Sequence, residues 1–138
     1  MYDNEGKFYC DLKNANGLIE EYDYDGNLEF EGEYLNGKRN GKGKEYDGNL
    51  EFEGEYLNGK RNGKGKEYYY DGKLLFEGEY LNGKRNGKGK EYNDDGNLVF
   101  EGEYLNGKPN GKGKEYDYVN LVFEGEYLDD ERWNAKEL

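Results

Sequence analysis

Between Leu28 and Tyr34 the chain alternates without a break, with Leu28, Phe30, Gly32 and Tyr34 on even positions and Glu29, Glu31 and Glu33 on odd ones. A period of two with an apolar side and a charged side predicts a half-buried β-strand. Asn36-Gly37-Lys38-Arg39-Asn40-Gly41 follows, and its two Asn-Gly steps supply the positive-φ residues of tight hairpin turns. A polar return strand is expected from Lys42 to Tyr46. The chain then turns again at Asp25-Gly26-Asn27, Asp47-Gly48-Asn49, Asp71-Gly72-Lys73 or Asp95-Gly96-Asn97.

This unit recurs. Phe30 to Tyr46 returns letter for letter from Phe52 to Tyr68 and from Phe76 to Tyr92, then from Phe100 to Tyr116 with Pro109 in place of Arg; a fifth copy starts at Phe123 and stops after Leu128. Repeats of this length denote an array of one small supersecondary unit. The predicted fold is all-β: an elongated single antiparallel meander of tandem hairpins, about 50 Å long at roughly 4.8 Å per strand. Glycines inside the strands, Gly32 and Gly43 among them, leave slots where a ring lies flat on the backbone and where the sheet curves or rolls. In a regular strand Tyr46 has the parity of Lys42 and Lys44, so it and the glycines cannot share the ring face. A β-bulge near Lys44 and Glu45 would reconcile them.

Composition changes the picture in one respect. Leu, Ile, Val and Phe make up only about a sixth of the chain and the net charge is -12, values that alone point to disorder. Sixteen tyrosines, many of them returning at fixed positions of the repeat, oppose this, because stacked units bury large rings even when no single unit has a core. The expected organisation is a degenerate first repeat or N-terminal cap over 1–25, tandem repeats over 26–128, and a C-terminal cap over 129–138. For that last segment, its Asp start and Trp133 suggest a short amphipathic helix covering the final strand. Cys10 is the only cysteine, so no internal disulfide forms, and with no signal-like or spanning apolar stretch the expected location is cytoplasmic.

The Glu-Gly-Glu-Tyr, Asn-Gly-Lys and Asn-Gly-Lys-Gly series resembles the MORN repeat family over about residues 26–128. The Glu-Tyr-Tyr-Tyr-Asp-Gly-Lys-Leu version at 67–74 is similar to a variant found in bacterial proteins, some of them described as antitoxins. The resemblance implies an elongated sheet of hairpins acting as a scaffold or interaction module, sometimes self-associating, without catalytic residues of its own. Tyr34, Tyr56, Tyr80 and Tyr104 stand where the family often has Trp, and Asn40, Asn62, Asn86 and Asn110 where it often has His.

Catalytic chemistry finds little support in the residues. Glu31 and Glu33 form a carboxylate pair in each copy, but facing Lys42 and Lys44 they read as cross-strand charge pairs. Asn40 to Lys44 lacks the hydroxyl residue and helix of a phosphate-binding loop. Asp23, Asp25, Asp94 and Asp95 lack the twelve-residue loop of a calcium site and read as turn carboxylates. The expectation is therefore a non-enzyme with no cofactor and no metal. Two surfaces are candidates for binding: an aromatic face of Phe30, Tyr34, Phe52, Tyr56, Phe76, Tyr80, Phe100 and Tyr104, and a basic edge of Lys38, Arg39, Lys60, Arg61, Lys84, Arg85 and Lys108 in the hairpin turns. The opposite edge carries Asp25, Asp47, Asp71, Asp95 and Asp117. The partners expected are a protein or a second copy of the chain. A peripheral-membrane or phosphoinositide adaptor is one alternative, an antitoxin or immunity-type binding partner another. The acidic balance opposes nucleic acid.

Overall fold

The computed structural model describes residues 14–137; Cys10 lies outside them. The alternating segment forms β2 (Leu28–Leu35) and its return forms β3 (Lys38–Asp47), flanked on the N-terminal side by β1 (Gly17–Tyr22). The unit recurs as β4 (Asn49–Leu57) with β5 (Lys60–Tyr68), β6 (Leu74–Leu81) with β7 (Lys84–Tyr92), and β8 (Leu98–Leu105) with β9 (Lys108–Asp117). β10 (Asn120–Leu128) and β11 (Glu131–Glu137) complete one open sheet of 11 strands in chain order, a meander as the alternation predicts.

The hairpin turn is shorter than the sequence suggests. Asn36 and Gly37, at φ 50° and 81°, make the whole turn, and Leu35 already pairs with Lys38 and Tyr34 with Arg39. A two-residue turn with both residues at positive φ carries the twist that antiparallel strands need. The second Asn-Gly lies inside β3 and serves a bulge, where the register slips between Gly32 and Tyr34. Gly41 takes φ 100° there, and the next amide, Lys42 N–H, donates to the Glu33 carboxylate at 2.5 Å. That bond satisfies a donor which the bulge removes from the ladder.

Tyr46 is not turned toward the rings by a bulge in β3. The register does slip between Glu45 and Tyr46, but the extra residue is Glu51 in β4. Tyr46 stays on the lysine side, and its hydroxyl donates to Glu31 at 2.6 Å.

The C-terminal segment is strand, not helix. Asp129 and Asp130 adopt φ 47° and 71° and replace Asn-Gly as the turn, so that Leu128 pairs with Glu131 and Tyr127 with Arg132 in the register of Leu35–Lys38 and Tyr34–Arg39. The fifth copy is therefore a full hairpin whose turn has lost its usual letters. At the other end Gly17 pairs with Tyr34 and Glu21 with Phe30, as Gly41 pairs with Tyr56 and Glu45 with Phe52. β1 thus pairs with β2 in the register of a return strand.

A single sheet needs its core on one face, and here the core is a row of rings. Phe30, Phe52, Phe76 and Phe123 are fully buried, and Tyr34, Tyr56, Tyr80, Tyr104 and Tyr127 nearly so. From Phe30 to Phe100 each phenylalanine of the row packs edge-on against the tyrosine of its own unit and that of the next, so that Phe52 lies 5.8 Å from Tyr56 and 5.2 Å from Tyr80, while Phe123 packs on Tyr127. The glycines make room beneath. A Cβ added at Gly43 would meet the Phe30 ring at 2.6 Å, so only glycine allows the ring to rest on the return strand. Units are also coupled at their turns, where Gly59 N–H donates to Arg39 C=O and Gly83 N–H to Arg61 C=O, at 2.9 and 2.8 Å.

Candidate functional site

The two faces of the sheet have separate chemistries. On the ring face the aromatic positions expected to meet a partner form the core, and Phe30, Tyr34, Phe52, Tyr56, Phe76, Tyr80, Phe100 and Tyr104 are all buried. Their cover comes from arginine. The guanidinium of Arg39 lies 4.0 Å above the Phe30 centroid, Arg61 3.9 Å above Phe52, Arg85 4.0 Å above Phe76 and Arg132 4.2 Å above Phe123. Carboxylates hold these cations in place: Arg39 Nε meets Glu21 at 2.9 Å, Arg61 Nε meets Glu45 at 2.7 Å and Arg85 Nε meets Glu67 at 2.7 Å. The same glutamates accept tyrosine hydroxyls, with Tyr56 on Glu45 at 2.5 Å and Tyr80 on Glu67 at 2.6 Å.

The basic edge is therefore smaller than the sequence suggests. Arg39, Arg61 and Arg85 sit in strands opposite Tyr34, Tyr56 and Tyr80, half-buried, because their planar cations complete the core. Lys38, Lys60, Lys84 and Lys108 remain exposed at the turns. The asparagines at the positions that the family often fills with His act as staples between units. Asn62 Oδ1 accepts Asn82 N–H at 3.3 Å, and Asn110 Oδ1 accepts Asp129 N–H at 3.2 Å.

These environments shift protonation in named directions. Burial opposes charge on Glu45, but the bonds from Arg61 and Tyr56 outweigh it and hold the carboxyl below its ordinary value. Burial and the Glu45 bond push Tyr56 upward, and burial with Glu67 does the same to Tyr80. On the other face the Glu31 bond pushes Tyr46 up to about 12. A hydroxyl that donates to a carboxylate cannot ionise without placing two negative charges side by side.

That other face is the open one. Glu31 pairs across strands with Lys44, Lys44 with Glu53, Glu53 with Lys66, Lys66 with Glu77, Glu77 with Lys90 and Lys90 with Glu101, an alternating ladder that runs across the repeats. A second column pairs Lys42 with Glu55, Lys64 with Glu79 and Lys88 with Glu103. Between the columns runs a groove of about 1230 Å³ floored by the glycine row from Gly32 to Gly102. The residues expected to be simple charge pairs thus line a long concavity. Sequence alternation places them on one face, but it does not reveal that a channel runs between them along the backbone of the glycine row.

Among the described residues no group of carboxylates, cysteines or histidines is arranged to hold a metal ion, and no helix is long and apolar enough to cross a membrane. No curated protein matches the chain. The MORN repeat model matches residues 30–49, 52–73, 76–98 and 100–118, four successive units and more than half of the sequence. The repeats of that family are in general non-enzymatic scaffolds that bind proteins or membranes. Four matched units in one register, with buried rings, Asn-Gly turns and a glycine row, make this chain a member of the MORN repeat family.

Proposed function

We propose that the chain is a non-catalytic scaffold that binds a partner protein along the groove of its ladder face. The observation that supports this is the groove itself, about 1230 Å³ and repeated in identical chemistry over several units. A partner segment with interleaved acidic and basic side chains matches columns in which Glu and Lys alternate, and opposed charges at fixed spacing give register more than raw affinity. Repetition adds avidity, since each further unit engaged makes the next contact intramolecular. The chain has no histidine, serine or threonine, which leaves the usual nucleophile and base pairs without members.

The test is charge reversal on the groove. Lys66→Glu with Lys90→Glu places like charges opposite Glu53, Glu77 and Glu101 and leaves the ring face untouched. A partner captured by the wild-type chain should bind the double variant at least tenfold more weakly, with circular dichroism unchanged. Equal affinity would remove the groove as the binding surface.

One observation supports a membrane arm to the same test. Lys38, Lys60, Lys84 and Lys108 remain exposed along one margin, a row of cations open to lipid phosphates. Sedimentation with anionic vesicles at low salt, abolished by high salt, would place binding there. Light scattering at both salts tests self-association in the same samples.

A further inference from the structure

The fourth unit departs from the others at one position, and the departure opens a site. Pro109 pairs with Tyr104 where Arg39, Arg61 and Arg85 pair with their tyrosines. A proline ring cannot extend over the neighbouring phenylalanine. Phe100 is 7% exposed, against 0% for the four phenylalanines that carry a guanidinium. Above it lies a cavity of about 460 Å³ bordered by Phe100, Pro109, Tyr127, Glu91, Glu115 and Arg132.

The cavity retains the fittings of the missing group. In the filled units the carboxylates beside the rings pair with arginine: Glu45 lies 3.9 Å from Arg39 and 2.7 Å from Arg61, and Glu67 lies 2.7 Å from Arg85. Beside the gap, Glu91 takes the Arg85 guanidinium at 3.0 Å and the Tyr104 hydroxyl at 2.6 Å, and Glu115 pairs with Arg132. Their side chains are 33% and 32% exposed, compared with 20% for Glu45 and 24% for Glu67. A third sign comes from a hydroxyl. The buried Tyr127 hydroxyl makes no well-formed hydrogen bond, although Glu115 and Arg132 lie beside it, whereas Tyr56, Tyr80 and Tyr104 all donate to their carboxylates. An orphaned polar atom bordering a cavity marks a place where a ligand group completes the bonding.

We propose that this gap is a receptor for the guanidinium of an arginine presented by a partner protein. The chain supplies its own template, since the same ring and carboxylate arrangement holds a guanidinium in four other units. A planar cation stacks on Phe100 and directs its N–H donors to Glu91, Glu115 and the Tyr127 oxygen. A lysine ammonium is a compact, strongly hydrated charge that does neither well. A metal ion gains nothing from the aromatic floor. The donor is not a second copy of the chain, because all four of its arginines already cover phenylalanines of their own.

This inference rests on the reading of the chain as a protein-binding scaffold, but it concerns a different face from the groove, so the two fail separately. The probe is capped arginine, titrated into the full chain and followed through the ring resonances of Phe100 and Tyr127. Saturable shifts are expected at those residues, with capped lysine and capped citrulline binding about tenfold more weakly. Pro109→Arg fills the gap from within and should abolish the shifts while preserving the fold. Arg61→Ala should create a second, equivalent site over Phe52. Agmatine separates the sources: if it binds tighter than capped arginine and a short arginine peptide, a free metabolite replaces the protein side chain as ligand and the proposal falls. It also falls if wild type and Pro109→Arg respond alike, if lysine binds as well as arginine, or if no saturable shift occurs.

Discussion

The ring face and the ladder face are built from the same strands, yet one is closed and the other open. On the ring face every large side chain has neighbours assigned to it: Phe52 has Gly65 beneath, Tyr56 and Tyr80 at its sides and Arg61 above. On the ladder face Lys64, Lys66, Lys88 and Lys90 stay exposed. The difference teaches that a one-layer sheet with few aliphatic residues buries its core by using charge as a lid. The guanidinium is a cation that tolerates partial burial when stacked and paired, so Arg and Glu do here what a second layer does in a sandwich. The opposite face carries paired charges and none of the core rings.

Alkali should break the comparison most completely, because it acts on all the ring hydroxyls at once. The folded state raises Tyr56, Tyr80 and Tyr104 above the ordinary value of 10.0, and Tyr46 and Tyr92 up to about 12. Raised groups contribute stability that is complete below pH 10 and is lost as pH climbs through 12 and beyond. Glu45 works in the opposite sense: its lowered value gives stability above about 4.5 that disappears as pH falls. Urea midpoints should therefore be level between pH 6 and 9 and fall steeply above 10, and a midpoint that holds to pH 12 would contradict the hydroxyl–carboxylate pairing. Phe52→Ala removes a fully buried ring and should cost about 3–5 kcal/mol by urea denaturation. Arg61→Ala uncovers Phe52 and leaves Glu45 with fewer donors, for about 2 kcal/mol. Lys66→Ala on the ladder face should change stability by no more than about 0.5 kcal/mol. If Lys66→Ala destabilises as much as Arg61→Ala, the two faces are not divided between folding and recognition.

What the sequence discloses follows from how local each cause is. The alternation of Leu28 to Tyr34 and the Asn36-Gly37 turn are properties of neighbouring residues, so strand, turn and meander could be read directly. The role of Arg39 could not be read that way. A basic residue just past a turn resembles surface charge, and only the ring seated in the glycine slot, with Glu21 approaching from the preceding unit, draws it inward. One signal was available: an arginine stands nine residues after Phe30, Phe52, Phe76 and Phe123, and a proline after Phe100. The same spacing identifies Arg132, and with it the strand that the Asp129-Asp130 turn disguised as a helix start. The groove was hidden for a different reason, because it runs across many strands, from Gly32 to Gly102, and no local stretch contains it.

Strand order has one mechanical outcome. Because β1 to β11 neighbour one another in chain order, a pull applied between Gly17 and Glu137 loads each ladder in series, not side by side. Strands would peel off an end one pair at a time, as a zipper opens, and the force needed would be small and nearly independent of how many units remain. Such a chain yields under tension and extends in steps of one hairpin, which suits a compliant tether better than a strut.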